Sequence, residues 1–355
     1  MTRGRPGAVT LTDVAKAANV HVSTASRALD PAMSFRISAA TVDRVTAAAA
    51  RLGYMPDMIA QGLKRGTTTM VGVIVPDLAN PFFGPLIRAL SEQLERRGFV
   101  TLVAETLEDH DRFERTLNHL LGRRVNAAVT TAARASDRDL LRRFAERIPS
   151  CVLAVRNIAG SGLPYVIQDD RQGGELAAGH LTELGHDVLA QLHGPSDTAT
   201  FTERGEGFRR TVGAAGRVEV SVGEYAEGLT LSEGKRLMAL TLDRNEANPP
   251  TAVFAHADLL AIGAIEEIDR RGLRCPQDIS VIGYDDAPLV GHIQPPLSTI
   301  ALPGGEIGRR AGEIILQLID DPAAQPDSVS LPAQLIVRSS TAPYDRDGAR
   351  RDRTA

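Results

Sequence analysis

The chain has 355 residues, of which 43% are hydrophobic and 24% charged, and this length predicts more than one domain. Two cysteines, at positions 151 and 275, are too few for a disulfide framework and favour a reducing compartment. The absence of tryptophan and an aromatic content of 4% argue against a protein that binds single-stranded nucleic acid by base stacking.

Charge is distributed unevenly along the chain, whose formal net charge is −4. Residues 1–66 contain nine basic and four acidic side chains, whereas the remainder contains 31 basic and 40 acidic ones. This asymmetry predicts that contact with a polyanion such as DNA is confined to the basic N-terminal region. The chain has no apolar run long enough to span a bilayer, and its first residues lack the apolar core of a signal peptide. We therefore expect a cytoplasmic protein without membrane contact.

Residues 10–29 are typical of a helix-turn-helix, with two short helices joined by a tight turn. We predict that Thr12 caps the first helix and that Asn19 adopts the left-handed conformation of the turn. The solvent side of the second helix carries Val22, Ser23, Ser26 and Arg27. These residue types suit the major groove, where Arg pairs with guanine, Ser bonds base edges or phosphate, and Val contacts a thymine methyl group. A third helix is predicted over 38–52, so that 1–55 forms an all-α headpiece.

The segment that follows, residues 56–66, is predicted to be a hinge helix or linker. Leu63 is followed directly by Lys64, which places an apolar wedge beside a cation. This pairing suits insertion into the minor groove with neutralisation of a phosphate. An unremarkable linker is the alternative when the segment is considered alone.

From residue 67 onward, strands alternate with helices, which predicts an α/β core of two doubly wound lobes. Strands are predicted at 71–75, 100–104, 125–130, 151–155, 165–168, 188–192, 252–254 and 279–283. Helices are predicted at 80–97, 107–123, 137–147, 172–184, 202–212, 258–271 and 304–318. The expected core spans 67–343, with an N-lobe of about 67–160 and 302–328 and a C-lobe of about 161–301 and 329–343. Residues 344–355 are expected to form a disordered tail.

Ligands of such sheets bind beyond the carboxyl ends of the strands. The loops there contain Phe82 and Phe83, which suit stacking on a ring face, and Asp285, which suits accepting hydrogen bonds from hydroxyl groups. The alternatives are that the two phenylalanines belong to the core and that Asp285 caps a helix.

Many motifs in order give the chain a resemblance to the lactose-repressor/galactose-repressor (LacI/GalR) family of bacterial transcription regulators, from about Val9 to Pro343. These motifs are Thr10-Leu-Thr-Asp-Val-Ala15, Val22-Ser-Thr-Ala-Ser-Arg27, Gly53-Tyr-Met-Pro56, Gly72-Val-Ile-Val-Pro-Asp-Leu-Ala-Asn-Pro-Phe-Phe83, Glu203-Arg-Gly-Glu-Gly-Phe208, Ile279-Ser-Val-Ile-Gly-Tyr-Asp-Asp286, Pro295-Pro-Leu-Ser-Thr299 and Arg338-Ser-Ser-Thr341. The resemblance implies a core like the periplasmic binding proteins, crossed three times by the chain, and a homodimer that binds a palindromic double-stranded operator and a small effector.

The resemblance also assigns roles residue by residue. It implies that bases are contacted by Val22, Ser23 and Arg27. It implies that phosphates are contacted by Thr10, Thr24, Ser26, Ser38 and Thr41. Leu63 would be the minor-groove wedge, with Lys64 beside it. The effector would be contacted by Asn80, Phe82, Phe83, Arg156, Arg204 and Asp285.

Several positions depart from the family pattern. Asp30 stands where relatives have an Asn near the DNA backbone, so no phosphate contact is assigned to it. The pair Arg156-Asn157 replaces an acid or Asn followed by Arg, and Ala257 and Leu302 replace amide side chains. These losses remove hydrogen bonds that a sugar hydroxyl needs. They favour an effector less hydroxylated than a plain sugar, an acidic effector paired with Arg156 and Arg204, or no effector at all.

Two other functions fit the sequence less well. A solute-binding protein that serves a transporter fits the core but leaves the basic headpiece unexplained. An enzyme is disfavoured because no nucleophile–base pair, dinucleotide-binding glycine motif or phosphate loop is identifiable. The histidines lack zinc spacing, so we expect no metal, no cofactor and no catalytic residues.

Overall fold

The computed structural model describes residues 9–30, 33–54, 68–220 and 223–344. The chain divides into two compact units at Thr68–Thr69, which we describe separately. The predicted hinge residues Leu63 and Lys64 lie outside the described residues, as does nearly all of the predicted tail.

The first unit contains the headpiece helices α1 (Leu11–Ala17), α2 (Val22–Ala28) and α3 (Ala39–Leu52), with a 3-10 turn at Ser34–Arg36. The apolar faces of the three helices bury Val14, Ala15, Ala18, Ala25, Ala28, Val45, Ala48 and Ala49. Asn19 has a φ of 53°, which confirms the left-handed turn between α1 and α2. The predicted cap at Thr12 is wrong. Thr10 caps α1, because its hydroxyl accepts the N–H of Asp13 at 3.3 Å while the Asp13 carboxylate accepts the Thr10 N–H at 2.9 Å.

The second unit contains two six-stranded sheets flanked by helices. The strands are β1 (Met70–Val75), β2 (Val100–Glu105), β3 (Ala127–Thr130), β4 (Cys151–Ala154), β5 (Tyr165–Gln168), β6 (Val188–Leu192), β7 (Val218–Val220), β8 (Ala252–Ala255), β9 (Ser280–Asp285), β10 (Ser298–Ala301), β11 (Val329–Leu331) and β12 (Gln334–Ile336). The helices are α4 (Phe83–Glu95), α5 (His110–Gly122), α6 (Arg138–Ala145), α7 (Asp170–Glu183), α8 (Ala199–Ala214), α9 (Leu231–Arg244), α10 (Asp258–Arg270) and α11 (Gly304–Asp320), with a 3-10 turn at Ala135–Asp137.

The strand order defines the two lobes. The first lobe has the order β11-β5-β4-β3-β1-β2, with every described pair parallel. The second lobe has the order β12-β10-β9-β8-β6-β7, and there only β10 and β12 pair antiparallel. Buried, β-branched strands such as β1 explain why the sequence pattern predicted parallel sheets.

The expected lobe boundaries are wrong at two strands. β5 pairs with β4, and β11 pairs with β5, so both belong to the first lobe and not to the second. The chain therefore crosses between lobes three times, after β5, after β10 and between β11 and β12. The prediction failed because the strand–helix rhythm restarts at β5, while the change of sheet comes one strand later.

The second lobe includes a tightly packed helix pair, α7 and α8. A Cβ added at Gly174 would lie 2.0 Å from the carbonyl oxygen of Arg204, and one added at Gly207 would lie 2.1 Å from that of Arg171. Only glycine allows backbones to approach so closely at these points. This packing fixes the position of α8 and of its Arg204 side chain, which faces the cleft between the lobes.

Candidate functional site

The exposed side of α2 presents the three predicted base-reading residues. Ala25 and Ala28 are buried against α1 and α3, while Ser23 and Arg27 are exposed and Val22 is half-buried. Residues at the start of the second helix are those that contact base edges in helix-turn-helix proteins.

His21 caps α2, at the position where a capping serine is common in the family that the chain resembles. Its Nδ1 accepts the backbone N–H of Ser23 at 3.2 Å and lies 2.8 Å from the hydroxyl oxygen of the same residue. A histidine is not among the usual N-cap residues, but its unprotonated ring nitrogen accepts the bond that a serine oxygen would accept.

The predicted phosphate contacts have different surroundings. The Thr10 hydroxyl already donates to Asp13 at 2.7 Å, so a phosphate contact through it would have to replace that bond. Ser38 donates to the hydroxyl of Thr41 at 3.0 Å, which leaves the Thr41 proton free to donate outward. Thr24 and Ser26 are half-buried on α2.

In the second unit, one cavity of about 210 Å³ lies between the lobes, beyond the carboxyl ends of the strands. All six predicted effector residues line it: Asn80, Phe82, Phe83, Arg156, Arg204 and Asp285. The structure adds Pro76, Asp77, Leu107, Glu108, Val155, Thr200, Phe201, Glu227, Gly228, Leu229, Thr230 and Leu302. Two lobes thus contribute polar and apolar side chains to a single small cavity, as is typical of small-molecule sites.

On the first-lobe side of the cavity, Arg156 is neutralised by Glu108. The guanidinium donates two hydrogen bonds to the Glu108 carboxylate, at 2.5 Å and 3.0 Å. Arg134 also donates to Glu108 at 3.4 Å. Burial alone would raise the pKa of Glu108, but the two guanidiniums outweigh it and lower that pKa below its usual range. Glu108 therefore remains ionised beside its partners.

On the second-lobe side, Arg204 is enclosed within the lobe. Its Nε donates to Asp170 at 2.8 Å, its Nη1 donates to the carbonyl oxygen of His256 at 2.5 Å, and its guanidinium lies 3.4 Å from the centre of the Tyr284 ring. The Tyr284 hydroxyl donates to Asp170 at 3.0 Å. Burial raises the pKa of Asp170, although Arg204 opposes the shift.

Asp285 ends β9 at the cavity, 3.9 Å from the Arg204 guanidinium. Burial raises the pKa of this carboxyl well above its usual range, against the opposing effect of Arg204. Its neighbour Asp286 is engaged elsewhere, since it accepts a hydrogen bond from Arg338 at 2.7 Å.

Strained backbone conformations are concentrated at the cavity. Leu107, Glu108, Val155 and Asp285 line it and have φ values of 53°, 56°, 67° and 124°. Positive φ is uncommon for such residues, and for a β-branched residue such as Val155 it is an outlier. Strain of this kind accumulates at ligand sites, where the surrounding structure enforces it.

Of the two positions where the sequence replaces an amide side chain, only one lines the cavity. Leu302 lines it, but Ala257 is fully buried and is not among the lining residues. The sequence reasoning also missed Glu108, although the residue follows β2 at the same sheet edge that identified the other candidates.

A salt bridge joins the two lobes beside the cavity. Arg134, in the first lobe, donates to Asp197 of the second lobe at 2.6 Å. Arg134 thereby connects the Glu108–Arg156 pair to the opposite lobe.

In the part of the chain that the structure describes, the histidine, cysteine and carboxylate side chains form no group that could hold a metal ion. Of the helices described, none is long and apolar enough to cross a membrane.

Comparisons with known proteins agree with this architecture. Residues 10–57 match a model described as bacterial regulatory proteins, lacI family, and residues 178–341 match one described as a periplasmic binding protein-like domain. The chain is 31% identical over 336 residues to the HTH-type transcriptional repressor CytR of Escherichia coli, covering 94% of this chain and 96% of that protein.

Solved structures show the same likeness. The structure of the Lac repressor dimer bound to operator and the anti-inducer ONPF has a TM-score of 0.82 and 26% identity, covering 94% of this chain and 99% of that one. A LacI-family transcriptional regulator from Enterococcus faecium with bound ribose has a TM-score of 0.68 and 28% identity, covering 78% of this chain and 100% of that one. The relatives are regulators and not enzymes. The chain belongs to the LacI family and is a DNA-binding transcriptional regulator with an effector-binding core.

Proposed function

We propose that this regulator is a cytoplasmic repressor that binds a palindromic operator as a homodimer and changes its operator affinity when a small molecule fills the cavity between the lobes. The observation that carries the effector role is that one cavity is lined by all six side chains that the family resemblance implies for effector binding. We retain 1–55 as the DNA-binding headpiece and 56–66 as the hinge, with Leu63 as the minor-groove wedge and Lys64 beside it.

On the headpiece, Val22, Ser23 and Arg27 read bases. Support comes from their position on the side of α2 opposite the buried Ala25 and Ala28. Phosphate contacts are made by Thr24, Ser26, Ser38 and Thr41. Thr10 caps α1, and it contacts a phosphate only where its bond to Asp13 is replaced. Phosphate contacts fix the orientation on DNA, and base contacts determine the preferred sequence.

The charges around the cavity favour an uncharged effector over an acidic one. The two guanidiniums of Arg156 and Arg204 already have carboxylate partners, and three further carboxyl groups line the cavity at Asp77, Glu227 and Asp285. An anionic ligand would have to displace Glu108 or Asp170 from its partner. Of the three alternatives that the sequence leaves open, a less hydroxylated effector, an acidic effector and no effector, we favour the first.

The size and apolar surface of the cavity narrow the ligand further. A volume of about 210 Å³ falls below the roughly 300–1,000 Å³ of pockets for drug-sized ligands. Phe82, Phe83 and Phe201 supply apolar surface, while Asn80 and Thr200 are polar. A single ring with one apolar face and a few hydroxyl groups fits these properties.

The DNA part is tested by selecting genomic fragments with the purified full chain, followed by gel-shift titration of the selected duplex. We expect Arg27→Ala to abolish the sequence preference and Lys64→Ala to weaken binding with less change in preference. An unchanged preference for Arg27→Ala would refute its base-reading role.

The effector part is tested by thermal unfolding of the full chain with neutral monosaccharides, nucleosides and small carboxylic acids. A ligand at 100 times its Kd stabilises the folded state by about 2.7 kcal/mol. We expect neutral ring compounds with few hydroxyl groups to raise the Tm, and plain monosaccharides and carboxylic acids to leave it nearly unchanged. The stabilising compounds should also shift the operator titration curve, whereas strong stabilisation by plain monosaccharides would refute the sparsely hydroxylated effector. Stabilisation by carboxylic acids would reverse the assignment.

A further inference from the structure

The cap of α2 fixes the direction of a hydrogen bond on the DNA-reading surface. Nδ1 of His21 accepts the Ser23 backbone N–H at 3.2 Å. A backbone N–H can only donate, so Nδ1 carries no proton in this arrangement and the ring proton is on Nε2. The same Nδ1 lies 2.8 Å from the Ser23 hydroxyl oxygen. Since Nδ1 can only accept, the Ser23 hydroxyl donates its proton to His21.

This bond changes what Ser23 offers to DNA. A free serine hydroxyl can rotate to donate or to accept, and it therefore tolerates either kind of base edge. Ser23 is exposed, but its single proton is directed toward His21, so the oxygen presents only lone pairs to a partner. In the major groove, adenine N6 and cytosine N4 are donors, whereas guanine O6 and thymine O4 are acceptors.

We propose that His21 is a positioning residue that makes Ser23 select an amino base, adenine or cytosine, over a keto base at the position it contacts. The inference rests on the proposed base-reading role of Ser23. A keto oxygen at that position would face the Ser23 oxygen lone pairs, and binding would then require the His21–Ser23 bond to break.

The test begins with selection from a randomised duplex library, using the full chain and its Ser23→Ala and Arg27→Ala variants. The position whose preference disappears in Ser23→Ala, while the other positions keep theirs, is the one that Ser23 reads. We expect the full chain to select adenine or cytosine there. Replacing that base with an analogue that lacks the exocyclic amine should weaken binding by about 2- to 10-fold, the effect of one hydrogen bond. The same replacement should have no effect on Ser23→Ala.

Two substitutions at position 21 separate hydrogen-bond direction from helix capping. Asp and Ser are both good N-cap residues, so His21→Asp and His21→Ser should keep α2 intact, which circular dichroism and thermal unfolding check. A carboxylate only accepts, so His21→Asp should retain the amino-base preference while the added negative charge lowers affinity for all sequences. A serine hydroxyl can also donate, so His21→Ser should reduce the preference at this position toward equal binding of all bases.

Three outcomes overturn the inference. Selection of a keto base at the Ser23-dependent position would show that Ser23 donates a hydrogen bond to DNA and does not accept one. An unchanged base preference in His21→Ser would show that His21 does not set the direction of that bond. If Ser23→Ala changes no position while Arg27→Ala does, Ser23 reads no base, and the inference fails together with that part of the proposed function. Failure of Arg27→Ala to change any position instead refutes the proposed orientation of α2, which the other outcomes leave intact.

Discussion

The two walls of the cavity each present an arginine, but the structure holds these arginines in different ways. Arg204, on the second-lobe wall, is 2% exposed and is surrounded by Asp170, a backbone carbonyl and the ring of Tyr284. Arg156, on the first-lobe wall, pairs with Glu108, whose side chain is 16% exposed and is shared with Arg134.

The guanidinium of Arg204 is held within one lobe, whereas that of Arg156 is connected to both lobes. All described partners of Arg204 belong to its own lobe, so the residue joins α7, α8 and the loop after β8. The Arg156 pair continues through Arg134 to the opposite lobe. Movement of the lobes therefore affects the environment of Arg156 directly, while the contacts of Arg204 move as one body.

The largest effect is expected from Arg204→Met. This change leaves Asp170 buried without its cationic partner, and breaking a buried pair in this way typically costs about 3–5 kcal/mol. The raised pKa of Asp170 should rise further, because the opposing charge is removed. Chemical denaturation of the full chain at pH 7 measures the loss in free energy of unfolding.

The double variant Arg204→Met with Asp170→Asn provides the control. An amide carries no charge, so removing both members of the pair should recover part of the stability lost by Arg204→Met alone. A loss of less than about 1 kcal/mol for Arg204→Met, the range of surface pairs, would show that the two walls do not differ as proposed.

The roles of the two arginines illustrate what the sequence could predict. The rule that ligands bind beyond the carboxyl ends of parallel strands identified Phe82, Phe83 and Asp285, because strand ends are visible in the hydrophobic pattern. The partner of Arg204 was not predictable, since Asp170 reaches it only through the close packing of α7 and α8 at Gly174 and Gly207. Pairing between distant side chains depends on tertiary geometry that a local pattern does not encode.

A smaller, qualitatively different effect is expected from Glu108→Gln. Gln preserves the shape of the side chain but releases the positive charge of Arg156, which should cost about 1.5–3 kcal/mol of stability, the range for hydrogen bonds to charged groups. The freed guanidinium should also let the cavity accept small carboxylates, which we expect to raise the Tm of this variant and not that of the wild type.

Glu227→Gln is the matched control, because Glu227 lines the same cavity but is exposed and is not a partner of Arg156. Both variants remove one negative charge from the lining. If carboxylates stabilise both equally, the net charge of the cavity determines ligand choice and the Glu108–Arg156 pair does not.

The headpiece shows the same limit of sequence reasoning. The turn at Asn19 and the buried face of α2 follow from residue type and spacing, and the structure confirms both. The cap of α1 was misplaced by two residues because Thr10 and Thr12 are equally good caps. Only the reciprocal bonds between Thr10 and Asp13 distinguish them.

The smallest effect on stability is expected from Asp197→Ala, which removes the salt bridge to Arg134 between the lobes. Asp197 is 50% exposed, and an exposed pair contributes at most about 1 kcal/mol. The effect should appear instead in ligand binding, because this bridge favours the arrangement in which the lobes enclose the cavity. We expect Asp197→Ala to bind the effector up to about 5-fold more weakly than the wild type. This difference should shrink at high salt, where exposed ion pairs are screened.

Asp320→Ala is the comparison variant for this prediction. It breaks a pair with Arg97 that lies within the first lobe, and Asp320, at 56%, is about as exposed as Asp197. Isothermal titration of both variants with a ligand found by thermal unfolding should show weaker binding for Asp197→Ala only. Equal affinities in the two variants would mean that the bridge between the lobes does not contribute to closure. In that case the difference between the two walls would be limited to the immediate partners of each arginine.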